Sequence, residues 1–485
     1  MAYLGIDLGT SGLKALLIDA DGTPVGTADR TYTTQHPHPG WSEQDPAAWT
    51  DALDAVMSDL RAQHPAFAVI KGIGVSGHMH GATLLDAEDR VLRPCILWND
   101  TRAFAEAAAL DGMDGVREIS GNIVFPGFTA PKLEWVARHE PQTFARVAKV
   151  LLPAAYLNLH LSGEHVTDMS DAAGTAWLDV GTRKWSERLL DASGMRADQM
   201  PRLVEGSDEA GTLRPELATR WGLGPNVIIA GGAGDNAAAA CGIGALVEGQ
   251  GFVSIGTSGV LLTARDGYCP KPETALHTFC HAVPDRWYQM GVMLSASDSL
   301  SWLARLTGSS PSQLTGALGD RVLPPGPVSF LPYLSGERTP HNDADIRGAF
   351  TGIGTQTTRD DMTRAVLEGV AFGLRDSAEA IRATGGTVDR LWAIGGGAAS
   401  DYWLRLIATV LNVTLDVPSG TAFGAALGAA RLGMAAATGA PIKDIMTPPD
   451  AHATFEPETD LQLAFEDAYA MFRKSYPAIK SIRNK

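Results

Sequence analysis

Cysteine is scarce in these 485 residues. There are four, Cys95, Cys241, Cys269 and Cys280, and no two form a CxxC pair. A disulfide framework is excluded and a structural zinc site is disfavoured, since both need clustered thiols. The usage fits a reducing compartment. Basic charge is short as well: 39 Lys and Arg stand against 55 Asp and Glu, a formal net charge of −16. Nucleic-acid grooves and membrane surfaces call for a concentrated basic face, so neither partner is expected. A small anion remains open as a ligand, because a few backbone N–H groups suffice to hold one. No run approaches the roughly 20 apolar residues of a membrane span. The opening MAYLGIDLGTSG has no basic stretch and Asp7 interrupts its apolar run, so it does not read as a secretory signal. The expected setting is the cytoplasm. No GxxxxGKS or GxxxxGKT run occurs, which excludes a P-loop enzyme.

What is present is ample material for packed cores: 45% of residues are hydrophobic, and 53 glycines mark many tight turns. At roughly 150 residues per domain the length suggests about three domains or two large ones. Strand-like and helix-like segments alternate, the pattern of an α/β chain. Tyr3–Ile6, Lys14–Asp19 and Ile73–Ser76 read as strands, and Ala47–Arg61 as an amphipathic helix with Trp49, Leu53, Met57 and Leu60 on one stripe.

One internal echo organises the chain. Gly9-Thr10-Ser11-Gly12 recurs 247 residues later as Gly256-Thr257-Ser258-Gly259, near half the chain length. Each copy follows a short apolar strand, Tyr3–Ile6 or Gly251–Ile255, and precedes an apolar run ending in an acid, Asp19 or Asp266. The match of flanks suggests a duplicated domain, with the boundary in Val247–Gln250 and the halves at 1–246 and 247–485. Two similar lobes facing each other make a cleft, a favoured place for ligands.

A strand–GTSG–strand hairpin shows several successive N–H groups, an anion-binding concavity, or else is an ordinary turn. Two copies at equivalent places favour phosphate. Asp7, just ahead of the first copy, can orient a water on Mg²⁺ or bond its own turn. A third cluster, Gly395-Gly396-Gly397-Ala398, joins a strand to the helix Tyr402–Leu411 and either lets a flat base or ribose approach the backbone or is a plain tight βα turn. Gly72-Ile73-Gly74-Val75-Ser76-Gly77 spells GxGxxG, but neither a helix start nor the later acid follows, so the dinucleotide fingerprint fails.

Asn226–Ala230 reads as a buried strand, Gly231–Gly234 as a flexible turn, and Ala237–Cys241 as the helix opened by Asp235-Asn236. Asp235 is then either that helix's N-cap or a general base taking the proton of an attacking hydroxyl. His78 and His80 flank Met79 in a polar turn, a weak metal signal, a better sugar-binding one, or else a plain turn with satisfied histidines. Trp98, Asn99, Asp100 and Arg102 combine an aromatic plane with an amide, a carboxylate and a guanidinium, a mix that suits a polyhydroxylated ligand or a capped strand end.

These loops resemble the two phosphate loops and the adenosine loop of the actin–hexokinase superfamily. Two longer runs are similar to signatures of its FGGY carbohydrate-kinase branch: GFTAPKLEWVARH from Gly127 to His139, and GAFTGI (Gly348–Ile353) with DMTRAVLE (Asp361–Glu368). PGWSEQDP (Pro39–Pro46), GHMHGATLLD (Gly77–Asp86), ILWND (Ile96–Asp100), DMSDAAGT (Asp168–Thr175) and LSGERTP (Leu334–Pro340) are most similar to members that act on D-xylulose. The resemblance covers essentially the whole chain, weakest after about Ala436. It implies two ribonuclease-H-like α/β domains, each a mixed five-stranded sheet flanked by helices, around an interdomain cleft. It implies ATP-dependent phosphorylation of D-xylulose at its C5 hydroxyl, with ribulose, gluconate or glycerol as alternative substrates. A non-catalytic ATP-binding module is the rival from another class.

By the same resemblance Asp235 is the catalytic base, Met79 and His80 contact the ketose, and Asp7 serves Mg·ATP. Trp98, Asn99 and Asp100 would complete the sugar pocket. Gly9, Thr10, Ser11, Gly256, Thr257 and Ser258 would face the phosphates, and Gly395–Ala398 the adenosine. A homodimer is carried over in the same way. The turn before Asp235, Gly-Gly-Ala-Gly, is a residue longer than the compact glycine run of some relatives.

Overall fold

The computed structural model describes residues 1–420 and 424–483. Two sheets dominate it. In the first, β1 (Ala2–Leu8), β2 (Gly12–Asp19) and β3 (Pro24–Thr31) form an antiparallel meander. β4 (Ile70–Gly77) lies parallel to β1 on its other side. β5 (Glu209–Thr212) and β6 (Ile228–Ala230) finish the order β5-β6-β4-β1-β2-β3, with β6 parallel to β4 and β5 antiparallel at the edge.

The second sheet repeats the plan. β7 (Gln250–Ile255) and β8 (Gly259–Arg265) form the hairpin; β9 (His277–Cys280) and β10 (Trp287–Met293) extend it antiparallel. β11 (Arg390–Ile394) and β12 (Thr414–Pro418) run parallel to β7, and β13 (Ala451–Phe455) closes the edge. The order is β9-β10-β8-β7-β11-β12-β13. Each central strand thus has an antiparallel partner on one side and a parallel one on the other. The five-stranded mixed core expected from the sequence is present twice, β3-β2-β1-β4-β6 and β10-β8-β7-β11-β12, with further strands added at the edges.

The inner strands β1, β4 and β7 are buried on both faces, so helices must cover both. α1 (Pro46–Gln63) starts at Asp45, whose side chain accepts from Ala47 N–H, with proline at the first helical position. It buries Trp49, Leu53, Val56, Met57 and Leu60 in one core with Leu4, Ile6 and Leu8 of β1. α2 (Asp235–Gly242) follows the first sheet. On the second sheet, α3 (Arg359–Arg382) sets Val366, Val370 and Leu374 in one core with Val253 and Ile255 of β7, beside α4 (Asp401–Leu411).

The other face of the first sheet is covered from the far end of the chain. α5 (Ala425–Thr438), of sequence AALGAARLGMAAAT, lies across β1, β2 and β4 and packs on α2. Its backbone comes so close that side chains on the sheet would not fit. A Cβ on Gly5 would overlap the carbonyl oxygen of Ala426, one on Gly74 that of Ala429, and one on Gly72 that of Gly433. Gly5 and Gly74 are register partners on neighbouring strands. The GxGxxG spelling therefore has a packing cause: Gly72 and Gly74 admit a helix, not a pyrophosphate. α5 also presses Gly428 on the Ala238 carbonyl of α2, and Arg431 Nη1 donates to the last carbonyls of α2, Cys241 (3.1 Å) and Gly242 (2.9 Å). A cation at that end suits the helix dipole.

All four cysteines are free thiols. No helix among the described residues is long and apolar enough to cross a membrane.

Replacing Gly74 by Ala should destabilise the protein by about 2 kcal/mol or more, the scale of overpacking against backbone that cannot move aside. Urea unfolding measures it, with Gly354→Ala as the neutral control because Gly354 faces open space.

Candidate active site

The two GTSG turns share one construction: their carbonyls are tied back. In the first, Gly9 O accepts from Tyr32 Oη (2.5 Å), Thr10 O from Gln44 Nε2 (2.6 Å) and Ser11 O from Tyr32 N–H (3.2 Å). In the second, Gly256 O accepts from Ser297 N–H (2.8 Å) and Ser297 Oγ (2.6 Å), and Thr257 O from Ala296 N–H (2.9 Å). The amides of Thr10, Ser11, Thr257 and Ser258 bond to no other described residue. Ser11, Thr257 and Ser258 are exposed. Each turn is left with free N–H groups and hydroxyls outward, the chemistry of an anion cradle.

The third cluster adjoins the second turn. Gly395 has φ +89°, and a Cβ there would meet the backbone of Ile255, the residue just before Gly256. A Cβ on Gly397 would collide with the Ile255 side chain. Gly396–Ala399 form one 3-10 turn, and Ser400 then caps α4 by accepting from Trp403 N–H. Gly395 and Gly396 are exposed. Gly395–Ala398 and Gly256–Ser258 therefore line one continuous surface.

Asp7 and Asp235 meet at one end of the first sheet. Asp7 of β1 pairs with Ser76 of β4, and Ser76 pairs with Ala233. Ala233 and Gly234 are thus hydrogen-bonded to β4, where a flexible turn is expected from the sequence. Gly232, with φ +86° and no room for a Cβ beside Val75 O, makes the kink that returns the chain to β4. Asp235 follows at once. It is the first helical residue of α2, and the cap position falls to Gly234. Its carboxylate does not cap the helix. Oδ1 accepts from Asn236 N–H (2.7 Å) and Asn236 Nδ2 (2.9 Å), and Oδ2 has no partner among the described residues. Burial, then the neighbouring Asp7 carboxylate, push Asp235 up to about 6, against the pull of the Asn236 donors. Burial also raises Asp7, countered by the Ser76 hydroxyl on its Oδ1 (3.0 Å) and by Lys14.

The expected sugar residues separate into two groups. Met79 and His80 follow closely on the end of β4. Met79 is buried, and its sulfur accepts from Tyr288 Oη of β10 (3.8 Å). His80, at φ +70°, stacks on Phe128 at 4.6 Å, and its Nδ1 is 2.6 Å from Gly174 O. Burial holds its pKa down at about 3, so the ring is neutral. With Nδ1–H donating to Gly174, Nε2 is left as an acceptor. His78 points elsewhere, edge-on to Trp49, so the two histidines make no metal pair. No cluster of three metal-ligating side chains occurs among the described residues. Trp98 is half exposed and donates from Nε1 to Thr10 Oγ1 (2.9 Å), which ties it to the first GTSG turn.

Asn99 and Asp100 depart from expectation. Asn99 is exposed, on a surface groove with His36, His38 and Trp41. Asp100 is buried and has no oxygen to spare. Oδ2 accepts from Ser42 N–H and Arg102 Nη2 (2.6 Å each), and Oδ1 from Arg102 N–H and Nε (2.9 Å each). Arg102 in turn lies 3.6 Å over Trp41 and pairs with Glu43. The carboxylate that reads as a sugar ligand holds an ion-pair network instead.

The whole chain has close counterparts. Residues 2–242 match the N-terminal domain of the FGGY family of carbohydrate kinases, and residues 251–437 match its C-terminal domain. The chain belongs to the FGGY family of carbohydrate kinases. It is 49% identical to the xylulose kinase of Escherichia coli (strain K12) over 437 residues, 90% of either chain. A crystal structure of a xyloylose kinase from Brucella ovis superposes with a TM-score of 0.98 at 57% identity, covering 99% of this chain and 100% of that one. The xylulose kinase of Rhodospirillum rubrum superposes at 0.94 with 27% identity over the full length of both.

As an FGGY kinase the chain draws on ATP, and several supports of its site carry no local sequence signal. Tyr288 reaches Met79 from a strand of the second half. Lys132 lies inside a quoted signature but is given no role there; it is fully buried, and its Nζ donates to His80 O (2.9 Å), fixing the His78–His80 turn. Burial pulls it down to about 7. The cue is its place between Pro131 and Leu133 on a buried helix face.

If Asp235 accepts a proton in the reaction, kcat/KM should fall about tenfold per pH unit below pH 6 and level off above it. Asp7→Asn removes the second cause of the raised pKa, so the residual activity should show that acid limb at lower pH. A pH–rate profile of both proteins checks the sign.

Proposed function

We propose that the chain transfers the γ-phosphoryl group of ATP to the C5 hydroxyl of D-xylulose, giving D-xylulose 5-phosphate and ADP. The observation that carries the reading is the half-occupied carboxylate of Asp235: Oδ1 is fixed by Asn236 and Oδ2 is free, beside the phosphate-loop strand. The names of the similar proteins support the choice of ketose. Near neutral pH most Asp235 is ionised. Its Oδ2 takes the C5 hydroxyl proton as that oxygen bonds to the γ-phosphorus and the bond to the β-phosphate bridging oxygen breaks. The proton is later lost to solvent.

His80 Nε2 accepts from a sugar hydroxyl, Met79 and Trp98 offer apolar faces, and Asp235 orients the reacting end. Neither Asn99 nor Asp100 is given a sugar contact. The sugar lies on the first half (1–246) and ATP mainly on the second (247–485). Gly395–Ala398 receive adenosine, and Gly9–Ser11 with Gly256–Ser258 hold the phosphates from opposite sides. Asp7 has its second oxygen unengaged among the described residues and fits a Mg²⁺ held through water, a metal satisfied by one or two carboxylates plus phosphates. Bound there, Mg²⁺ would neutralise phosphate charge as it develops. The reading includes a cytoplasmic setting, in line with the four free thiols.

A coupled ADP-release assay against D-xylulose, L-xylulose, D-ribulose, L-ribulose, glycerol and gluconate tests it. D-xylulose should give the highest kcat/KM, and Asp235→Ala should lose roughly 10²–10⁴-fold in kcat while still binding ATP. Near-normal turnover by that variant would remove Asp235 as the base, and a better polyol would redraw the pocket.

A further inference from the structure

The run Leu334–Pro340 has no role in the reaction as described so far, yet it crosses from the second half into the sugar pocket of the first. Thr339 is clamped to β10: its N–H donates to Val292 O (3.0 Å), and its Oγ1 accepts from Val292 N–H and donates to Ala275 O (3.0 Å each). Glu337 exchanges backbone bonds with Asp343 (2.9 and 2.8 Å), and its Oε1 accepts from Leu294 N–H (3.2 Å) and Arg338 N–H (2.7 Å). Arg338 is thus held at both neighbours and free at its tip. Its guanidinium lies 3.9 Å over the ring of Phe125, and it makes no hydrogen bond or ion pair with another described residue. Phe125 packs in turn on Phe128, the ring on which His80 stacks.

This cation is not neutralised. Burial lowers its pKa only to about 10, and burial raises the adjacent Glu337 to about 8, so near pH 7 the arginine is charged and the glutamic acid is not. The charge is near enough to His80 and His277 to disfavour protonation of both. Arg338 is half-buried, so a charge with no partner among the described residues is within reach of a ligand that completes it. Guanidinium only donates, so the ligand atom must accept.

The chemistry of the proposed substrate supplies that atom. A 2-ketopentose closes to a furanose through O5. Phosphoryl transfer to O5 therefore needs the open-chain form, whose C2 is a carbonyl. We infer that Arg338 is a specificity-determining residue, donating from its guanidinium to the C2 carbonyl oxygen of an open-chain ketose whose next hydroxyl is held by His80. The inference rests on the reaction proposed above. It makes the sugar site a product of both halves, with the base on the first and the carbonyl reader on the second. Reduced sugars, which carry a protonated tetrahedral C2 oxygen, fit the same donors less well.

The test compares D-xylulose with xylitol and D-arabinitol, its two C2 reduction products, using the full chain with Mg·ATP. The wild type should prefer the ketose by at least about tenfold in kcat/KM. Arg338→Met should raise KM for D-xylulose by roughly 10–100-fold, the range of a lost hydrogen bond from a charged donor, and leave KM for ATP within about threefold. The ketose-to-alditol ratio should collapse with it. Arg338→Lys, which keeps charge and stem, should retain part of the ratio and covers the case in which the Met variant does not fold. An unchanged ratio in the variants, a rise in KM for ATP instead, or a wild type indifferent to the carbonyl would each overturn the inference while the kinase reading stands. Failure of the wild type to phosphorylate D-xylulose at all would instead strike the proposed reaction, before any variant is made.

Discussion

The site depends on how closely α5 can approach the first sheet. Three glycines, Gly5, Gly72 and Gly74, leave a bare strip of β1 and β4, and the helix backbone lies on it with no side chains between. The same helix grips α2 through Gly428 and through Arg431 on its last carbonyls. β1 carries Asp7, β4 runs into Met79 and His80, and α2 begins at Asp235. One helix therefore sets the relative positions of three elements that each carry a side chain of the proposed site. Backbone-to-backbone contact suits this purpose, because it has no rotamers to relax and little freedom to slide.

Around that clamp the chemistry is prepared by subtraction. In both GTSG turns the carbonyls are occupied from behind, so the groups that remain outward are donors. In His80 the Gly174 carbonyl takes the Nδ1 proton and leaves an acceptor. In Asp235 one oxygen is spent on Asn236 and one is kept. Each group is left with a single hydrogen-bonding role already chosen, which is the preorganisation that phosphoryl transfer asks of a protein. Burial and, after it, the like charge of Asp7 raise the proton affinity of Asp235.

Much of this was legible in the sequence because it is local. The GTSG repeat marked both hairpins, and the alternating strands and the α1 stripe lie within longer observed elements. Local reasoning failed where the deciding partner is distant in the chain. Asp235 reads as a helix cap until Ala233 and Gly234 are seen to pair with β4, which moves the helix start onto it. Asp100 reads as a ligand until Ser42, 58 residues back, joins the adjacent Arg102 on its oxygens. Lys132 is given no role, and Arg338 lies about 200 residues from the ring it covers. The glycines of β4, rightly refused as a dinucleotide fingerprint, had no local explanation for the same reason: their cause is a helix from the other end of the chain.

That helix also bears on how the molecule is made. A ribosome delivers the first sheet long before it delivers α5, and N-terminal units generally begin to fold as they emerge. Until residues 425–438 arrive, Tyr3, Leu16 and Ile18 have no cover on that face, since their apolar partners there are Ala426, Leu427 and Ala430. The nascent first half is therefore an unfinished body with a flat, sticky side. Its maturation is a late docking event, and the two repeats, however alike in plan, are not separable units of biosynthesis.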